Sequence, residues 1–244
     1  NGFRSPGLKE LYFNFIDINH YVVGNTNLRP ERSDNLRAEF TWRRTDKSEK
    51  NAYGFTVSGF YNNILDRVIL SEYAPTQYNY ANLRRWETIG GGLGVNWVFN
   101  NWLRFRSDVV LTGFYEPYAE EIDSIRKLNW SPDWVNDLTM SFFKNRATCS
   151  IWHKMTGKTP FFSENLGVVK QGESEGWHLL NASVGGSFFK QSIRLNAGVK
   201  NILNTRQIRS GASDVVGHSD GGFRPVHWGR TYFVTAIFAI HSKS

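Results

Sequence analysis

Residues Ala52-Tyr53-Gly54-Phe55-Thr56-Val57-Ser58-Gly59-Phe60-Tyr61 decide the fold. Tyr53, Phe55, Val57, Gly59 and Tyr61 form one set, and Ala52, Gly54, Thr56, Ser58 and Phe60 interleave with it. The first set is greasy and the second is mostly small or hydroxylic. That is the period of a β-strand with one apolar face. The same alternation returns in 88–97, where Ile89, Gly91, Leu93, Val95 and Trp97 interleave with Thr88, Gly90, Gly92, Gly94 and Asn96. In 103–112, Leu103, Phe105, Val109 and Leu111 oppose Arg104, Arg106, Asp108 and Thr112.

The pattern continues to the end of the chain and predicts strands at about 34–45, 52–67, 83–97, 102–115, 133–144, 146–156, 177–189, 192–205 and 229–241. Most reach ten residues or more, whereas strands of soluble proteins are mostly ~5–6 long. A tilted membrane-spanning strand needs about 9–11. Short links at 45–51, 98–101, 144–146 and 190–191 alternate with long ones at 5–33, 68–82, 116–132, 157–176 and 206–228. Sorting of turns and loops by length is the habit of outer-membrane barrels, not of sandwiches. The fold class expected is therefore all-β, a transmembrane antiparallel β-barrel. Trp97, Trp102, Trp134, Trp177, Trp228 and Tyr232 lie near strand ends, as an interfacial girdle requires. Packing in an ordinary core is the alternative for these rings.

Composition fits this reading. The 244 residues carry 29 Lys and Arg against 22 Asp and Glu, a net +7. Aromatics make up 15%, which excludes a disordered chain. No apolar run approaches the ~18 residues of a membrane helix. No signal peptide opens the sequence, so it is expected to be a piece of a longer protein. The single Cys149 forms no internal disulfide and no thiolate cluster.

Two further stretches carry a resemblance. One is Phe3-Arg4-Ser5-Pro6-Gly7-Leu8-Lys9-Glu10-Leu11-Tyr12, followed by Gly24-Asn25-Thr26-Asn27-Leu28-Arg29-Pro30-Glu31. The other is Asn196-Ala197-Gly198-Val199-Lys200-Asn201-Ile202-Leu203-Asn204 with the closing Gly229-Arg230-Thr231-Tyr232. In this order they resemble the C-terminal barrel portion of TonB-dependent outer-membrane receptors, in the style of Bacteroidetes members. The resemblance implies that residues 1–244 are the last nine or so strands of a 22-stranded barrel, with the plug domain absent from this chain. It implies a bacterial outer-membrane location and uptake of a scarce nutrient such as a ferric siderophore, haem or cobalamin. The partners it implies are TonB through the missing plug, outer-membrane lipid and lipopolysaccharide, a small-molecule ligand and a surface lipoprotein.

No catalytic signature is present. There is no Gly-x-Ser-x-Gly elbow, no His-Glu-x-x-His and no P-loop, so no enzyme is expected. Gly90-Gly91-Gly92-Leu93-Gly94 lacks the Lys-Ser/Thr ending of a phosphate loop and lies in a strand. No cofactor and no nucleic-acid partner is expected. Glu120, Glu121 and Asp123 have no EF-hand spacing and read as a solvated loop face. Arg104, Arg106, Asp108, Arg194 and Lys200 fall on the polar face, where hydrogen bonding to a plug is their expected work.

The candidate ligand-binding residues are His20, Tyr12, Tyr78, Tyr80, Arg84 and Arg85. Arg84, Arg85 and Trp86 follow Tyr78 and Tyr80, a grouping able to hold an anionic, partly aromatic ligand by charge and stacking. Contact with lipopolysaccharide phosphates or solvent explains the same residues. His20 lies between the two boxes, where haem receptors of the family place a haem-ligating histidine. Both boxes deviate from the haem pattern, so a metal role for His20 applies only if the ligand is haem. A passive porin or structural barrel, and a soluble carbohydrate-binding β-domain, are the other functions weighed.

Overall fold

The structure, a computed structural model, describes residues 1–17, 21–74, 77–115, 128–165, 168–189, 192–211 and 223–239. Nine long strands form one antiparallel meander: β4 (Glu31–Thr45), β5 (Ala52–Ala74), β6 (Gln77–Phe99), β7 (Leu103–Tyr115), β8 (Leu128–Phe142), β9 (Ala147–Thr156), β12 (Trp177–Phe188), β13 (Ile193–Lys200) and β16 (Thr231–Phe238). A three-residue strand, β1 (Gly2–Arg4), pairs with the start of β4. Among the described residues the sheet is open, with β16 at one edge and, at the other, β1 followed by the rest of β4. Among the described residues no helix is long and apolar enough to cross a membrane.

The register joins the greasy half of each strand into one face. Phe40 stands opposite Val57, Val57 opposite Leu93, Leu93 opposite Val109, and Val109 opposite Trp134. Further along, Ile151 faces Ala182, Ala182 faces Val199, and Val199 faces Tyr232. This face is not covered: Phe40 is 61% exposed, Leu93 54% and Val184 59%. Buried hydrophobic side chains are few among the described residues, namely Leu28, Leu83, Tyr115, Leu179 and Ile208. A soluble β-domain would have to hide such a face, because contiguous apolar surface of this extent is costly in water. Lipid covers it without cost, and closure or further pairing must satisfy the edge strands.

Short turns at one end do what the sequence predicts. Asp46 organises the β4–β5 turn by accepting bonds from Asn51 Nδ2 (2.7 Å), Ser48 Oγ (2.8 Å) and the Lys50 N–H (3.0 Å). Asn100 and Asn101 take φ of 46° and 58° between β6 and β7, a left-handed geometry that Asn tolerates. The rings of Trp42 and Tyr53 (5.8 Å), Trp97 and Phe99 (5.7 Å), and Phe99 and Trp102 (6.3 Å) make a girdle along this inner end. Trp177 departs from the girdle. It stands opposite Thr156 on the polar face, with Lys154 Nζ 5.4 Å from its ring centre.

The expected long links carry structure of their own. Residues 68–74 and 77–82 are strand, because β5 and β6 keep pairing there, with Val68 opposite Asn82 and Leu70 opposite Tyr80. Each strand is 23 residues long, about twice what a membrane span needs. The ribbon therefore stands out from the membrane. Strand β8 likewise starts at Leu128, where Leu128 pairs with Tyr115. Four short strands, β10 (Thr159–Asn165), β11 (Val168–Ser174), β14 (Gln207–Gly211) and β15 (Phe223–Pro225), form a second small sheet from the two later links. Strand β13 ends at Lys200 instead of near 205, because Asn201 turns the chain at φ 52°.

Candidate functional site

The outer rim is built by the segment 1–30 folding down onto the β5–β6 ribbon. After β1 comes a single helical turn, α1 (Leu8–Tyr12), then β2 (Asn14–Ile16) and β3 (Tyr21–Val23). Strands β2 and β3 pair, and β3 adds in parallel to β6, with Val22 opposite Tyr78. Gly24 is required where the segment doubles back, because a Cβ there would lie 2.6 Å from the Leu11 carbonyl carbon.

The residues of the two boxes hold this fold together. Arg4 donates to Glu31 through Nε (2.8 Å) and Nη2 (2.7 Å), and to Glu10 through Nη1 (3.0 Å). Glu31 also accepts the Val68 N–H at 2.7 Å, and Glu10 accepts the Gly7 N–H at 2.6 Å. The Arg4 guanidinium, with the Val68 N–H behind it, holds the Glu31 carboxyl below the usual carboxylate range against the opposing pull of burial. Asn25 Nδ2 donates to the Tyr80 carbonyl at 2.9 Å. Arg29 and Asn82 bond reciprocally, the Arg29 N–H to Asn82 Oδ1 at 2.8 Å and Asn82 Nδ2 to the Arg29 carbonyl at 2.9 Å. Arg29 Nη2 reaches Asp66 Oδ1 at 2.8 Å. These polar residues are structural, and their bonds spend the groups that a ligand would otherwise use.

Of the candidate residues, Tyr12 is 67% exposed on α1. Tyr78 and Tyr80 are half-buried on β6, Tyr78 opposite Val22 of β3 and Tyr80 accepting the Asn25 bond through its backbone carbonyl. Arg84 is exposed. Arg85 is not a companion of Arg84, because successive strand residues point to opposite faces. It donates through Nε to Asn63 Oδ1 (3.0 Å), pairs with Glu87 (3.0 Å) and lies 5.9 Å from the Tyr115 ring centre. His20, Glu120, Glu121 and Asp123 lie outside the described residues.

A residue outside the sequence reading enters instead. The Arg67 guanidinium lies 4.5 Å from the ring centre of Trp86, and Trp86 leans on Phe114 with ring centres 5.8 Å apart. Phe114 stands opposite Thr88, and Thr88 accepts a bond from Asn62 Nδ2 at 3.0 Å, which places this group at the outer end of the polar face. Strict alternation would group Arg67 with Leu65 on the apolar face. Asp66 sits between them at φ 54° and breaks the alternation. An acidic residue amid a β-prone run was the one sequence signal for this.

Further polar groups complete the map. At the start of β16, buried Asn201 donates through Nδ2 to the carbonyls of Thr205 (2.8 Å) and Trp228 (2.9 Å) and accepts the Thr205 N–H (2.9 Å). Arg230 Nη2 donates to the Ile202 carbonyl at 2.7 Å. On the apolar face, His153 Nε2 and His178 Nδ1 are 3.1 Å apart, and Asn136 Nδ2 is 3.2 Å from His153 Nδ1. On the polar face, Arg106 bonds Asp108 at 2.6 Å, and an open cavity of about 260 Å³ lies beside Arg146, Ser150, Gly185, Arg194 and Asn196. Among the described residues no three His, Cys, Asp or Glu side chains converge on a metal position.

Comparison with known proteins agrees with this architecture. Residues 10–216 match the model of the outer membrane protein beta-barrel family. No curated protein matches the chain in sequence. The chain is similar in structure to the copper transporter OprC, with a TM-score of 0.61 and 15% identity over 98% of this chain and 36% of that one. It is similar to the siderophore receptor PirA from Acinetobacter baumannii, with a TM-score of 0.56 and 13% identity over 89% of this chain and 33% of that one. It is also similar to a mutant ferric enterobactin receptor from Pseudomonas aeruginosa, with a TM-score of 0.56 and 17% identity over 89% of this chain and 32% of that one. At these identities the likeness is one of fold, and the chain spans about a third of the length of each.

Proposed function

The chain belongs to the outer membrane protein beta-barrel family, and from that premise we propose that it forms wall and outer rim of a receptor for a scarce nutrient. The nutrient is of the class of a ferric siderophore, haem or cobalamin. TonB supplies the energy through a plug domain, and no chemical step is catalysed. One observation carries the reading: the outer rim is a built surface. The 23-residue strands β5 and β6 stand beyond the membrane, and the segment 1–30 is bonded onto them through Arg4, Asn25 and Arg29. A barrel that only lets solutes diffuse has no use for such a platform. Transporters and receptors of metals and siderophores among the structurally similar proteins support the same reading.

The test is accumulation by whole cells with and without the gene. Radiolabelled ferric catecholate, ferric hydroxamate, haemin and cobalamin are supplied separately, each with and without a protonophore. Gene-dependent accumulation of one of them that collapses with the proton gradient is expected. Accumulation that survives the protonophore would mean passive diffusion instead.

A further inference from the structure

We propose that Arg67, laid on the Trp86 ring, forms an oxyanion-binding site on the polar face of the outer rim, for a ligand bearing a carboxylate or phosphate. This deepens the uptake reading above by naming the chemistry the rim would hold.

The charges on the ribbon sort themselves. Arg29 pairs with Asp66, and Arg85 with Glu87. Arg4 takes both Glu10 and Glu31. Arg67 and Arg84 have no ion pair and no side-chain hydrogen bond among the described residues. Glu31, the acid whose field reaches Arg67, is spent on Arg4 and the Val68 N–H. Burial pulls Arg67 below the ordinary arginine value, and the Glu31 charge offsets this only in part. A half-buried guanidinium with unspent donors is unfavourable unless something accepts its hydrogen bonds.

Geometry favours an oxyanion. Stacking on Trp86 uses one face of the Arg67 guanidinium and leaves its in-plane N–H fork available. That fork matches the two oxygens of a carboxylate or phosphate. Phe114 packs against Trp86, their ring centres 5.8 Å apart.

The experiment uses the full-length protein in detergent, with salicylate as the aryl carboxylate and inorganic phosphate as the ring-free oxyanion. Binding is read by ligand-observed NMR. Salicylate should bind wild type and Arg43→Ala, an exposed arginine at the far end of β4, alike, and lose about tenfold in affinity with Arg67→Ala. Arg67→Lys, which keeps the charge and the fold, should also weaken it by severalfold because the fork is lost. Phosphate should compete with salicylate. Equal salicylate binding by wild type, Arg67→Ala and Arg67→Lys, or no binding by any, would overturn the site. Failure of the uptake reading is distinguishable: cell accumulation would then be independent of the gene while the wild-type and Arg67→Ala difference persisted.

Discussion

Phe60 stands directly opposite Gly90 in the β5–β6 ladder and lays its ring where a Gly90 side chain would be, a Cβ there lying 2.5 Å from Phe60 Cζ. Gly198 meets Phe233 in the same way, with Phe233 Cζ at 2.7 Å from the position of a Cβ. In the glycine run that resembles a phosphate loop, Gly90 thus makes room for Phe60 and the Leu111 carbonyl, Gly92 for the Ser58 hydroxyl and Gly94 for the Asp108 carboxylate, while Gly91 meets only the Ser58 carbonyl. A matched pair of substitutions tests this. Gly90→Ala should destabilise the barrel by roughly 1–3 kcal/mol through overpacking. Gly59→Ala, where the nearest atom is 3.9 Å from the Cβ position, should change stability by less than about 0.5 kcal/mol. Urea unfolding in lipid vesicles reads both, and equal effects would contradict the seating.

Asn201 is fully buried and its amide bonds three backbone groups across the rim. Asn201→Asp removes the two N–H donors and turns a carboxylate towards the Thr205 and Trp228 carbonyls. A loss of about 2–4 kcal/mol is expected, measured as a lowered unfolding midpoint. A midpoint unchanged from wild type would show that water replaces these bonds.

Glu31 lies at the outer end of β4, beyond the apolar band, with its carboxyl depressed mainly by Arg4. A depressed carboxyl stabilises above the pKa of the unfolded chain, ~4.3, and loses this as pH falls through the folded value. Docking of the segment 1–30 should therefore weaken below about pH 4. Glu31→Gln should weaken it already at neutral pH, by about 1 kcal/mol, since Arg4 is 46% exposed and water screens the pair. Protease cleavage within residues 8–16 reads the opening. The same cleavage rate in the variant at neutral pH would remove Glu31 from the docking.

Leu93 and Asn96 test the two faces energetically. Leu93→Arg, in the middle of the apolar face, should cost roughly 2–4 kcal/mol in a bilayer. Asn96→Arg, on the polar face, should be tolerated within about 1 kcal/mol. Comparable costs for both would mean that the faces are not divided between lipid and lumen.

Much of this architecture is legible in the sequence, and the limits have physical causes. Period two in 52–61 and 88–97 identifies the strands and faces, because lipid and lumen impose opposite polarities on neighbouring residues. Alternation fails outside the membrane, where no such demand exists. So the pairing of Val68 with Asn82 in β5 and β6, and the short strands β10 and β11, go unseen. Arg84 and Arg85 look like one cluster in sequence, yet Arg85 is bound to Asn63 and Glu87. Arg67 is hidden because one left-handed residue, Asp66, turns it from the apolar to the polar face. The boxes around Arg4 and Asn201 are visible as motifs, but their work as internal latches depends on partners dozens of residues away.

Division of one sheet into a lipid face and a lumen face is tested most directly by spin labels at single cysteines along residues 93–98, in a Cys149→Ser background. In vesicles, accessibility to oxygen should rise and fall with period two, high at Leu93, Val95 and Trp97 and low at Gly94, Asn96 and Val98. An accessibility profile without that alternation, or with its maxima at the even positions, would contradict a membrane-spanning wall built this way.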